Sequence, residues 1–379
     1  MSEQEVNAGQ FDEWLTDDSD VVALTLQQWL EPVEGKNAVI FPPTYAKPEG
    51  VSDRDWSGYN IDRFDDGTSV CQIDSVGAQA NRMEPIFKRE PYSRLVPHVV
   101  IKAGEREIDL LDAGHRAADA IVRFSDLGPH LHEAFRAYRD RGNAEPLARI
   151  APTSIVFGTW DSRGTQAKLP RIVRSVIRAY HVKELHRSAQ YTTIAGEILE
   201  GGEAEVATKG PRAELGLAHV PAVRTHGGIQ VLGEIRRDAI LNLSALRTLA
   251  GSADGDPTLK IRRYLLGLAL VTFTASLQMF LREGCHLVPD QERMPEWKLV
   301  RCDGTRQDFQ ITSNEAIAFA RVTAKDFGVK AEPVFGAFDS ALARKVLALS
   351  EVDRKKLFRQ GPVTWDAVDQ PNQKEAKKS

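Results

Sequence analysis

Cysteine is scarce in this chain, with only Cys71, Cys285 and Cys302 in 379 residues. An odd count with no Cys-x-x-Cys pair argues against a disulfide framework or a closed zinc site. It points instead to reduced structural thiols and a cytoplasmic setting. Long apolar runs are missing too. The most apolar stretch, Tyr264 to Ala275, is shorter than the ~20 residues of a membrane span and reads as a core element. The N-terminus has neither the basic nor the apolar region of a secretory signal. Charge of one sign is not in excess either: the formal net charge is -4, so any basic surface has to be local. Catalytic signatures are also absent. There is no Gly-x-Ser-x-Gly, no His-Glu-x-x-His, and no Gly-Lys-Ser/Thr of a Walker loop. His130, His132, His181 and His186 lack cysteine or carboxylate companions at metal-ligand spacing. No catalytic residue, metal or cofactor is expected.

What is present is 42% hydrophobic and 27% charged residues, enough for a substantial core in a water-soluble chain. Residues 1–20 hold seven carboxylates and no Lys or Arg and read as a mobile acidic lead-in. Residues 21–345 read as one domain, and 346–379 as a C-terminal segment with a basic tail. Strand character appears at Asn37–Phe41, Val70–Asp74 and Ser154–Phe157, in a hairpin turning at Ala103-Gly104, and in a pair around 297–312. Helical spacing appears after Gly77 and at His115–Phe124, Leu131–Arg141, Pro170–His181, Ala239–Leu249 and Asn314–Asp326. Two polar insertions, 46–68 and 196–228, read as long loops. Irregular alternation of strands and helices favours an α+β fold over a doubly wound sheet.

One stretch departs from the overall charge balance. Between Arg149 and Tyr191 lie Arg149, Arg163, Lys168, Arg171, Arg174, Arg178, Lys183 and Arg187, against only Asp161 and Glu184. Pro170 suits the first turn of a helix. At about 100° per residue, Arg171, Arg174 and Arg178 would then share an arc of roughly 60°, opposite Ile172, Val173, Val176, Ile177 and Tyr180. Upstream, Arg163 and Lys168 flank Gly164-Thr165-Gln166, whose backbone N–H groups could approach a phosphate. A phosphate backbone is the natural partner of such a ridge, although a solvated basic helix face has the same pattern. Arg82 could add a phosphate contact or pair with Glu84. Arg116 lies beside His115, with Asp119 one turn on, as an acid/base pair or a local hydrogen bond. Trp160 could stack on a base or fill the core.

Three blocks carry a resemblance to a known family: VCQIDSVGAQANRMEP from Val70 to Pro85, DAGHRAADAIVRFS from Asp112 to Ser125, and APTSIVFGTWDSRGTQAKLPRIVRS from Ala151 to Ser175. A weaker fourth is LKIRRYLLGLAL from Leu259 to Leu270. Together the chain resembles the RAMP-superfamily backbone subunit of type I-G (formerly type I-U) CRISPR effector complexes. The resemblance implies an RRM-like, ferredoxin-type palm with inserted subdomains, including a thumb-like hairpin. Residues 196–228 are the expected thumb, with 46–68 as the alternative. It further implies a non-catalytic subunit that grips guide RNA in a helical row of its own copies, beside other effector subunits, and meets target DNA through the guide in antiviral defence. The expected RNA contacts are Arg82, Arg116, Arg163, Lys168, Arg171, Arg174 and Arg178. The alternative is a RAMP endoribonuclease processing precursor RNA through a histidine such as His115.

Overall fold

The computed structural model describes residues 7–52, 56–202, 204–252, 256–330 and 332–369. Its spine is an antiparallel sheet. Strand β1 (Val21–Pro32) opens it, and β2 (Ser69–Asp74) leads through the Ser75 N-cap into helix α1 (Val76–Met83). After a mostly helical stretch comes β3 (Val173–Tyr180). A two-stranded ribbon follows, β4 (Val182–Tyr191) and β5 (Val220–Val231), and then β6 (Ile235–Asn242). Helix α2 (Asp256–Thr274), strands β7 (Cys285–Pro289) and β8 (Glu296–Arg301), and helix α3 (Ser313–Phe327) complete the scaffold.

Strands β7 and β8 share one edge of β1, and β6, β3 and β2 follow on its other side, every pairing antiparallel. Leaving aside the edge strand β2, the lateral order is fourth, first, third, second. That is the order of a ferredoxin-type β-α-β-β-α-β unit, so the α+β, RRM-like expectation holds. Successive side chains of a strand point to opposite faces. Leu24, Leu26, Val173, Ser175, Ile177, Arg237, Ala239 and Leu241 are buried on one of them. Helix α2 lies in the core, buried almost all round between Ile261 and Phe273, which accounts for the apolar run. Gly267 lets α3 come close: a Cβ there would sit 2.9 Å from Ala320 Cα. No described helix is long and apolar enough to cross a membrane.

Several local expectations fail. Pro170–His181 is not a helix: Val173–Tyr180 is a strand between β2 and β6. Its β-branched residues suit a pleated surface. Val176 is buried although it alternates with Arg174 and Arg178, so the period of two was masked. Ser154–Phe157 is not a strand but the end of a short helix, Pro152–Val156, started by its proline. Ala239–Leu249 divides into β6 and a short helix, Leu243–Arg247, whose N-cap Asn242 accepts from Ala245 N at 2.9 Å.

The insertion 196–228 is not a loop throughout. It starts inside a helix, Ile194–Glu200, and ends within β5. The described part of the acidic lead-in is fastened to the domain. Trp14 and Leu15 are buried, Asp12 accepts from Arg263 Nε at 2.7 Å, and Asp17 from Arg262 Nη1 at 2.7 Å. Residues 1–6 and the basic tail lie outside the described residues. The C-terminal segment continues as helices Ser340–Ala348, Glu351–Gln360 and Trp365–Asp369 around a small core of Leu342, Val346, Leu357, Val363 and Val368.

Candidate nucleic-acid interface

The sheet turns one face away from the main core. On β3 that face carries Arg174, Val176, Arg178 and Tyr180, of which Arg174 is exposed and Arg178 half-buried. At ~3.3 Å per residue, the two arginines stand about 13 Å apart along the strand. Cross-strand register sets Arg178 between Gln72 of β2 and Arg236 of β6, and Arg174 opposite Ile240. Asp238, opposite Val176, lies within diagonal reach of both arginines. It is already engaged by Arg236 Nε at 2.8 Å and by Gln27. Neither Arg174 nor Arg178 has a hydrogen-bond or ion-pair partner among the described residues.

The β1 side of the same face is different. Arg236 is held by Glu234 and Asp238, both at 2.8 Å, and lies over the Tyr180 ring. Arg293 pairs with Glu234 at 2.7 Å and covers Trp29. Charge there is balanced within the protein, whereas the β3 side is left with cations.

Just before β3 the chain makes a small hairpin, Thr159–Trp160 paired with Lys168–Leu169. Its loop is built around the buried Asp161, which accepts from Gly164 N at 3.1 Å, Thr165 N at 2.6 Å and Thr165 Oγ1 at 2.9 Å. Asp161 also pairs with Arg123 at 3.1 Å. A Cβ on Gly164 would come within 2.5 Å of that carboxylate. The Gly164 and Thr165 amides expected to meet a phosphate therefore point inward. The Gln166 amide donates to Asp161 O at 2.9 Å.

The side chains of this segment behave otherwise. Arg163, Lys168 and Arg171 are exposed, and neither Arg163 nor Arg171 has a partner among the described residues. Lys168 Nζ is 5.7 Å from the centroid of the Trp160 ring. The stem of Arg171 lies on Gly158, where φ is +74° and a Cβ would fall 2.7 Å from Arg171 Cγ. Burial, and then the neighbouring Arg116 charge, lower the Arg171 pKa from its ordinary value. An anion beside Arg171 would offset that repulsion.

Arg82 and Arg116 are placed differently from the sequence expectation. Arg116, 6% exposed, has Nε 2.7 Å from Glu84 Oε2 and donates to Asn81 Oδ1 at 3.2 Å. It is turned into the protein, its guanidinium already engaged by Glu84 and Asn81. Burial pushes the Glu84 carboxyl up to about 7 even with Arg116 beside it. Arg82 does not pair with Glu84. It donates to Asp74 Oδ2 at 3.0 Å and to Leu281 O at 3.0 Å, tying α1 to β2 and to the strand Met279–Arg282. His115 is exposed, and its backbone N–H, not its ring, reaches Asp119 at 3.3 Å. No group of three or more His, Cys, Asp or Glu able to hold a metal occurs among the described residues.

Sequence reading missed Tyr180 and Arg236 as members of this face. The signal was in β6, where Arg236, Asp238, Ile240 and Asn242 alternate with buried Ile235, Arg237, Ala239 and Leu241. No curated protein matches the chain. Residues 24–184, which run from β1 through the hairpin and β3 into β4, match the model of the family described as CRISPR-associated protein GSU0053, and this match supports a CRISPR-associated protein.

Proposed function

We propose that the chain is a non-catalytic backbone subunit of a CRISPR effector complex of subtype I-G, and that it binds single-stranded guide RNA along the β3 side of its open sheet face. The observation that carries this reading is the pair Arg174 and Arg178, presented on an RRM-like sheet with no acceptor among the described residues. Arginine suits the task because its planar fork binds phosphate oxygens two at a time. Arg171, Arg163 and Lys168 extend the cationic strip towards the hairpin. Phosphate contacts hold a strand in register and leave base edges free, so that target DNA is read by pairing with the guide and not by the protein.

A repeating subunit in an open row needs one patch that meets a different patch on the next copy. The ribbon supports this part of the proposal. Near its tip, Tyr191, Ile194, Ile198, Leu199 and Leu215 are all exposed, Ile198 to 77%. Apolar groups gathered in this way mark contact surfaces. We assign the thumb-like hairpin to the ribbon, Val182–Val231, in place of the narrower 196–228.

The test is RNA affinity as a function of salt for the wild type and for the triple variant Arg171→Glu, Arg174→Glu, Arg178→Glu. Each arginine that no longer meets a phosphate should reduce the slope of log K against log salt by about 0.7. A slope that does not change refutes the assignment. Incubating the purified chain with a repeat-containing transcript should leave the transcript intact. Discrete products that disappear in His115→Ala would support the processing enzyme instead.

A further inference from the structure

Trp160 is 57% exposed, although it stands on a hairpin whose other residues are well placed. Its cross-strand partner is Lys168, and the opposite side of the hairpin is closed by Thr159 and Leu169, both buried. Gly158, just before this strand and left-handed at φ +74°, supports the Arg171 stem. The hairpin therefore presents an exposed indole with the Lys168 ammonium beside it, and Arg171 is anchored on Gly158 at the start of the same hairpin. The adjacent carboxylate, Asp161, faces the other way, held by two amides, a hydroxyl and Arg123. Among the described residues, no aromatic side chain makes a ring contact with Trp160. Its ring is approached instead by the Lys168 ammonium.

An indole left in water beside unpaired cations has the chemistry of a stacking shelf. Every nucleobase has a π-face, and stacking on an aromatic side chain tolerates any sequence. Lys168 beside the ring, and Arg171 at the start of the hairpin, would meet phosphates next to the stacked nucleotide. Stacking uses the face of the base and leaves its pairing edge free, as a guide requires. Resting on the RNA-binding function proposed above, we infer that Trp160 holds one nucleobase of the bound strand by stacking, independently of its sequence. The role complements the phosphate contacts of β3: arginines supply a salt-sensitive attraction, the indole a salt-insensitive one.

The experiment titrates the full chain with oligouridylate and oligoadenylate of equal length, following tryptophan fluorescence and affinity at several salt concentrations. The wild type, Trp160→Phe, Trp160→Ala and the double variant Arg174→Glu, Arg178→Glu are compared. The chain has six tryptophans, so the difference between wild type and Trp160→Phe isolates the quenching at this position. Trp160→Ala is expected to bind both oligomers about tenfold more weakly with an unchanged salt slope, and Trp160→Phe to retain most of the affinity. The arginine variant should lose slope and keep the quenching at high protein concentration. If the wild type binds with a steep salt slope while Trp160→Ala binds equally well and no quenching maps to this position, the shelf is refuted and the RNA-binding function stands. If the wild type binds neither oligomer, both are refuted.

Discussion

Arg116 and Arg174 are the same residue type in two settings, one behind the hairpin and one on the open sheet, and the difference between those regions singles out the candidate site. Behind the sheet, guanidiniums act as struts. Arg116 meets Glu84 and Asn81, Arg82 meets Asp74 and two carbonyls, and Arg237 meets Ser175 and Gln28. Burial lowers the Arg237 pKa to about 10, which leaves it charged at neutral pH. On the open side, Arg163, Arg171, Arg174 and Arg178 have no acceptor among the described residues. A guanidinium offers five donors and no acceptor. One without protein partners on a structured surface has its donors available for an outside anion. Basic residues are therefore informative only once their acceptors have been accounted for.

The sharpest way to break this comparison is to remove a strut. Arg116→Ala leaves Glu84 buried without its cation and should cost about 3–5 kcal/mol above pH 7, where the wild-type Glu84 is ionised, measured by denaturant unfolding. A cost below ~1 kcal/mol would mean that the pair is no strut. Asp161→Ala removes the acceptor of two amides and a hydroxyl and leaves Arg123 without its carboxylate. About 2–4 kcal/mol is expected, with hydrogen exchange quickening at Gly164 and Thr165. Arg82→Ala should cost roughly 1–3 kcal/mol, the range for hydrogen bonds to charged groups, and should expose α1 to early exchange. At the other end, Arg174→Glu with Arg178→Glu should leave stability within about 0.5 kcal/mol of the wild type, because neither guanidinium bonds to the described residues, while RNA affinity falls steeply. If that variant unfolds as readily as Arg116→Ala, the two regions are not different in kind.

The architecture was largely legible in the sequence. Strand β2, helix α1, the hairpin at Ala103-Gly104 and the helix near Asn314–Asp326 all lie close to where pattern put them. Helix α3 is bounded at its start by a capping box of Thr312 and Glu315, a strong local signal. Strand β3 was hidden because Val176 is buried on the face that also carries the arginines, so its apolar spacing imitates a helix. Even so, Arg174 and Arg178 are four residues apart, and both a helix and a strand place such a pair on one side. The two arginines therefore share a face although the element that bears them is a strand and not a helix. What could not be read was the fate of Arg116 and Arg82. Their acceptors Glu84 and Asp74 are in another part of the chain or across the start of a helix, and only tertiary packing brings them together.

The inward-facing Asp161 has one more consequence. A loop that waits for phosphate to organise its amides must be ordered at the moment of contact, and that ordering subtracts from affinity. Here the same amides are tied down beforehand by the protein's own carboxylate, so the hairpin is already shaped before any strand arrives. In the row of identical subunits proposed above, such readiness would let each copy accept RNA without first rebuilding itself.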